Sequence, residues 1–189
     1  MQLASDQPWH TRVADVRQAN HVMRQTLFIT QGEYATGSGP DIVISTLLGS
    51  CVACCLWDPV TRIGGMNHML LAVSGGGDTS CALSGINAME VLINDLVKLG
   101  AVRGRLRAKV FGGARMISGF SDIGAKNAAF TLSYLGQEGI PLITQSLGGN
   151  SARNLRFWPD IGRAMQKMTN APVRDMAFAA PGGNGVELF

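Results

Sequence analysis

Apolar residues fall into short unbroken runs and two stretches of helical period, separated by glycine, proline and aspartate. Residues 41–48 and 52–57 are short apolar runs flanked by Gly, Pro and Asp, the pattern of buried strands. Asp58-Pro59 closes the second run with a turn. Residues 62–71 predict a returning strand interrupted at Gly64-Gly65. In residues 84–99 the apolar positions Ile86, Met89, Ile93, Leu96 and Val97 recur at helical spacing, and Gly100 suits the position just past a helix end. Leu106, Ala108 and Val110 alternate with Arg105, Arg107 and Lys109, which predicts a half-buried strand. A second helix is expected from Ser121 or Asp122 to about Gln137, with Gly139 beyond it. Residues 140–147 and 154–158 read as further strands, and 163–168 as a hairpin partner of the latter. Strands outnumber helices and come in clusters, so the expected fold class is α+β. The expected architecture is a layered α/β sandwich of mixed sheets with flanking helices, not a doubly wound sheet.

The pattern fades at both ends. Residues 1–27 are polar and mixed in charge, which predicts a flexible N-terminal extension with at most one loose helix. Residues 169–189 are rich in Ala, Pro and Gly and predict a flexible tail. One domain is left, residues 28–168, without internal repeats. Only 15% of residues are charged and 24 of the 189 are glycine, against norms of about 25% and about 7%. This excludes a coiled coil or long helical bundle and favours short elements joined by tight turns. A net charge of +3 is too weak and dispersed for a nucleic-acid surface. No window approaches the roughly 18 consecutive apolar residues of a membrane span, and residues 1–20 lack the apolar core of a secretory leader. Direct membrane insertion is therefore not expected. Cys51, Cys54, Cys55 and Cys81 read as reduced thiols of a cytoplasmic protein, since three of them crowd one short apolar segment.

Two of these residues carry candidate chemistry. Cys51 follows Leu48-Gly49-Ser50 at the junction of two apolar runs, and His68 follows seventeen residues later in Gly64-Gly65-Met66-Asn67-His68. Two strands joined by a turn bring such positions side by side, and an imidazole near a thiol makes a nucleophile of it. The alternative is a small buried cysteine beside a hydrogen-bonded core histidine. A metal site would need Cys51, Cys54 and His68 to converge, but on a strand Cys51 and Cys54 point to opposite faces. The glycine clusters Ser74-Gly75-Gly76-Gly77, Gly112-Gly113 and Gly148-Gly149 match no phosphate-binding pattern and read as tight turns around a groove. Arg115 and Arg153, each shortly after a glycine pair, are candidates to line one cleft.

Six motifs then appear in order. They are Leu48-Gly49-Ser50-Cys51-Val52-Ala53, Gly65-Met66-Asn67-His68, Ala88-Met89-Glu90-x-Leu92-Ile93-Asn94, Lys109-Val110-Phe111-Gly112-Gly113-Ala114, Ile123-Gly124-Ala125-x-Asn127 and Leu147-Gly148-Gly149-Asn150. The series, over residues 29–168, resembles the chemoreceptor glutamine deamidases of bacterial chemotaxis, the CheD family. The resemblance implies a Cys-His-Thr triad on a layered sandwich related to a bacterial toxin deamidase, without metal or organic cofactor. By position the nucleophile is Cys51 and the base His68. The third member falls six residues before the cysteine, on Ser45 in place of threonine. Thr46 is adjacent, and on a strand only one of the two faces the imidazole. The implied activity is hydrolysis of glutamine side chains on methyl-accepting chemotaxis receptors, with ester hydrolysis open to the same acyl chemistry. The implied alternative is a non-catalytic regulatory partner of a CheC-type phosphatase.

Overall fold

The computed structural model describes residues 11–13, 25–71, 77–116 and 123–169. Ten strands and two helices lie in them. β1 (Thr11–Val13), β2 (Gln25–Phe28), β3 (Tyr34–Ser38), β4 (Ile42–Leu48), β5 (Val52–Asp58) and β6 (Ile63–Asn67) come first. Then follow α1 (Gly77–Lys98), β7 (Arg107–Gly112), α2 (Ile123–Gln137), β8 (Leu142–Leu147), β9 (Ala152–Trp158) and β10 (Arg163–Thr169). The strands form two mixed sheets, one of order β1-β3-β6-β5-β7-β8 and one of order β10-β9-β4-β2. The expected α+β sandwich is the observed architecture.

Alternation along β5 divides the core. Val52, Cys54 and Leu56 face α1 and α2 with Met89, Leu92 and Leu96. Cys51, Ala53, Cys55 and Trp57 face the four-stranded sheet with Ile44, Leu48, Leu155 and Phe157. The layers are thus helices, six-stranded sheet and four-stranded sheet. A strand covered on both faces has no polar side to present, which is why residues 52–57 form an unbroken apolar run.

The elements differ from expectation where local rules met a tertiary neighbour. Gly64-Gly65 does not interrupt β6, which pairs through both glycines with β3 and β5. A Cβ at Gly65 would lie 2.7 Å from the Ala35 carbonyl and 2.8 Å from Leu92, so Gly65 lets α1 settle onto the strand. Helix α1 begins seven residues before the expected start, and Ile86 and Val97, counted toward its apolar face, are exposed. Both helices end as anticipated: Gly100 and Gly139 have φ of +110° and +64°. The amides of Ala101 and Ile140 reach back to Leu96 and Leu135 at 3.0 and 2.9 Å, closing each helix with a 6→1 bond. β3 had no strand signal of its own. Within residues 1–27, Thr11–Val13 pairs in parallel with β3, and β2, which starts at Gln25, pairs in parallel with β4. The expected tail falls almost entirely outside the described residues.

Gly112 is where the fold first constrains the site. Its φ is +118°, and a Cβ there would lie 2.1 Å from the Cys51 carbonyl oxygen. Gly148 also has positive φ, +77°, but opens onto empty space. Gly148→Ala is therefore expected to cost about 1–2 kcal/mol from backbone strain alone. Gly112→Ala should lose at least twice as much, or fail to fold, because strain and collision add. Urea denaturation midpoints of the two variants make the comparison.

Candidate active site

Cys51 immediately precedes β5 and His68 immediately follows β6. An isolated antiparallel bridge joins Val52 to Met69, with Val52 N–H to Met69 O at 2.9 Å and Met69 N–H to Val52 O at 2.8 Å. That register sets Ala53 opposite His68 and puts Cys51 two positions along on the same face. Such diagonal neighbours lie about 7–8 Å apart along the backbone, within reach of long side chains. Cys51 is 9% exposed and His68 6%.

The third group comes from the other sheet. Thr46, on β4, has its Oγ1 2.7 Å from His68 Nδ1 and 2.7 Å from the Ile29 carbonyl oxygen. A carbonyl cannot donate, so the single hydroxyl proton goes to Ile29. Thr46 must then accept from Nδ1–H, which leaves the lone pair on Nε2. The hydroxyl fixes the tautomer that a base needs.

Ser45, expected at this position, is not there. It is buried on the opposite face of β4, and its Oγ donates to the Leu155 carbonyl at 3.1 Å. The two-face argument holds; the register was off by one. Thr46 shares its parity with Ile42, Ile44 and Leu48, all 3% exposed or less, whereas Leu47 on the Ser45 side is 44% exposed. The larger aliphatics on the even positions were the available signal.

Burial pushes the His68 imidazole down from 6.5 to about 4, partly offset by the Glu33 carboxylate. The ring is neutral at neutral pH. Burial also pushes the Cys54 thiol up to about 12 and holds Cys55 well above its ordinary value. Both are fully buried, and Cys54 faces the helices while Cys51 faces the sheet seam. Cys54 and Cys55 are thiols outside any disulfide; the Cys81 side chain lies outside the described residues.

The turn carrying Cys51 is tied down at three successive carbonyls. Ala114 N–H bonds Gly49 O at 2.9 Å, Asn127 Nδ2 bonds Ser50 O at 3.0 Å, and Gly113 N–H bonds Cys51 O at 2.8 Å. Asn127 also accepts from Leu71 N–H at 2.9 Å, so one buried amide on α2 holds the segments bearing the thiol and the imidazole. Arg115 and Arg153 do not share a cleft. Arg115 lines an open cavity of about 500 Å³ with Gly148, Gly149 and Asn150. Arg153 is 1% exposed and props that glycine loop from behind, through the carbonyls of Ser146 and Gly148.

A thiol and a neutral, tautomer-locked imidazole on one face of a sheet are a pairing found in hydrolases of amides and esters. The comparisons narrow this class. Residues 70–168 match the family model "CheD chemotactic sensory transduction", beginning two residues after His68. A Caulobacter vibrioides (strain NA1000 / CB15N) protein named "Probable chemoreceptor glutamine deamidase CheD" is 52% identical over 149 residues, 76% of this chain and 80% of that protein. One of the same name from Agrobacterium fabrum is 47% identical over 173 residues, 85% of this chain and 94% of that protein. The chain belongs to the CheD family. A solved structure of the hypothetical protein YfiH from Bacillus licheniformis overlaps it with a TM-score of 0.41 and 13% identity, over 74% of this chain and 63% of that one.

Two outcomes follow. Asn127→Ala leaves Ser50 O and Leu71 N–H without partners in a buried place, so it should lose about 2–4 kcal/mol of stability in urea. The imidazole stays neutral in the folded protein while the unfolded chain takes up a proton below pH 6.5. Its contribution is therefore present above 6.5 and lost as pH falls toward 4, by about 3 kcal/mol in all. His68→Gln should show a correspondingly shallower loss of stability over that window in denaturation measured at several pH values.

Proposed function

We propose that this chain hydrolyses glutamine side chains on the cytoplasmic region of methyl-accepting chemotaxis receptors, giving glutamate and ammonia, with Cys51 as nucleophile. One observation carries the assignment: the Thr46 hydroxyl, committed to Ile29, compels His68 to present a bare Nε2 on the face of the sheet that holds Cys51. The names of the relatives supply the substrate class.

In this reading Nε2 takes the thiol proton as Cys51 Sγ attacks the carboxamide carbon. His68 returns the proton to the leaving ammonia, and water then opens the thioester with the same base. Backbone amides of the Gly49–Cys51 turn face the developing oxyanion, and the three anchored carbonyls of that turn support their rigidity. The steps call for no metal or organic cofactor, and the reaction fits a cytoplasmic location. Regulation of a CheC-type phosphatase needs neither thiol nor base, so the intact pair favours catalysis.

The test is mass spectrometry of a receptor cytoplasmic fragment after incubation with the protein. Wild type should convert specific glutamines to glutamate, and Cys51→Ala should convert none while remaining folded. If the fragment is untouched by wild type, the deamidase reading fails. Thr46→Ala should lower the rate by about 10- to 100-fold by freeing the tautomer, while Ser45→Ala should stay within about threefold of wild type. With the imidazole neutral down to about pH 4, the acid limb of kcat/KM should have its midpoint well below 6.5, since kcat/KM reports the free enzyme.

A further inference from the structure

A tight turn lies over the thiol. Glu33 N–H bonds Thr30 O at 2.9 Å, and Gly32 has φ +81°, which makes Thr30-Gln31-Gly32-Glu33 a turn with glycine at its left-handed position and Gln31 at its leading corner. The Glu33 carboxylate locks it from within, accepting from Thr30 N–H at 2.7 Å and Thr30 Oγ1 at 3.1 Å. The turn is fastened to the base itself: Gly32 N–H reaches His68 O at 2.8 Å, and His68 N–H reaches Glu33 O at 2.9 Å. Ile29, immediately before the turn, takes the Thr46 proton.

From this corner Gln31 extends its carboxamide to Cys51, whose Sγ donates to Oε1 at 3.9 Å. Gln31 is exposed, so the carboxamide covers the thiol from the solvent side, where a substrate amide must enter. Several donors nearby are already committed: Val52 N–H to Met69 O, Gly113 N–H to Cys51 O, and Asn127 Nδ2 to Ser50 O. Gln31 Nε2 has no partner among the described residues. The terminal torsion of a glutamine is broad and roughly two-fold, so half a turn exchanges Oε1 for Nε2 and aims N–H at the space above the sulfur.

We infer that Gln31 is a catalytic residue of the proposed deamidation: its side-chain N–H donates to the substrate oxygen as the tetrahedral intermediate forms. The inference rests on the deamidase reading. In the resting state Gln31 Oε1 accepts from the Cys51 thiol. When the S–C bond forms and the carbonyl electron pair moves onto oxygen, the thiol proton is on His68, and Gln31 serves as donor.

The experiment compares wild type, Gln31→Ala, Gln31→Glu and Gln31→His on the receptor fragment, and measures alkylation of Cys51 by iodoacetamide, a displacement that forms no oxyanion. Gln31→Ala should lower kcat by about 100-fold, the usual size for one oxyanion donor, with KM within about threefold. Its alkylation rate should equal or exceed that of wild type, since a cover is removed. Gln31→Glu, which offers only acceptors at neutral pH, should be slower than Gln31→Ala, and Gln31→His, which restores an N–H, should recover part of the loss. A Gln31→Ala kcat within threefold of wild type overturns the inference while leaving the deamidase reading in place. Alkylation falling in parallel with kcat overturns it too, assigning Gln31 to the thiol instead of the oxyanion. A wild type that leaves the fragment unmodified removes the deamidase reading and this inference together.

Discussion

The site turns on one proton. Thr46 has a single hydroxyl hydrogen, and the Ile29 carbonyl 2.7 Å away claims it. Everything about His68 follows from that commitment: Nδ1 must carry hydrogen, Nε2 must be bare, and the ring plane is set by a bond made across the seam between two sheets. Burial then keeps the ring neutral. Neither sheet supplies the arrangement alone. Thiol and imidazole lie beside the strands of the six-stranded sheet, the hydroxyl comes from the four-stranded one, and Ile29 belongs to the segment that leaves β2 and leads into β3.

Around this seam, chain geometry is held by backbone bonds more than by side-chain bulk. Carbonyl groups at Gly49, Ser50 and Cys51 each meet a donor, from Ala114, Asn127 and Gly113 in turn. The donors approach closely because Gly112 and Gly113 lack side chains: a Cβ at Gly113 would stand 2.9 Å from the Gly124 carbonyl. The double glycine that resembled a phosphate loop only in composition is a packing device, letting the β7–α2 connection lie against the turn that carries Cys51.

Much of this was legible in the sequence, for a stated reason in each case. The unbroken apolar run of β5 announced a strand covered on both faces, and the helix-ending glycines Gly100 and Gly139 announced their left-handed conformation. Cys51 and His68 stood out by residue type and spacing. β3 was not legible, because Tyr34-Ala35-Thr36-Gly37-Ser38 has neither alternation nor a run and is a strand only through its pairing with β6 and β1. The hydroxyl was misplaced because counting back from Cys51 crosses the Gly49-Ser50 turn, where length and not chemistry decides which residue faces inward. Thr46 lies five positions before Cys51, not six. Gln31 gave no signal at all: a single glutamine before a glycine acquires meaning only when the turn is laid over the thiol.

The division of the site between two sheets gives the molecule a form of self-silencing. The four-stranded sheet ends in β10, a largely exposed edge strand, and its other edge is the short β2. Separating this layer from the six-stranded sheet parts Thr46 from His68. The imidazole is then free to tumble between tautomers and to take up a proton from water. What remains is a cysteine without its anchored imidazole, and the proposed chemistry on other proteins' side chains requires both layers assembled.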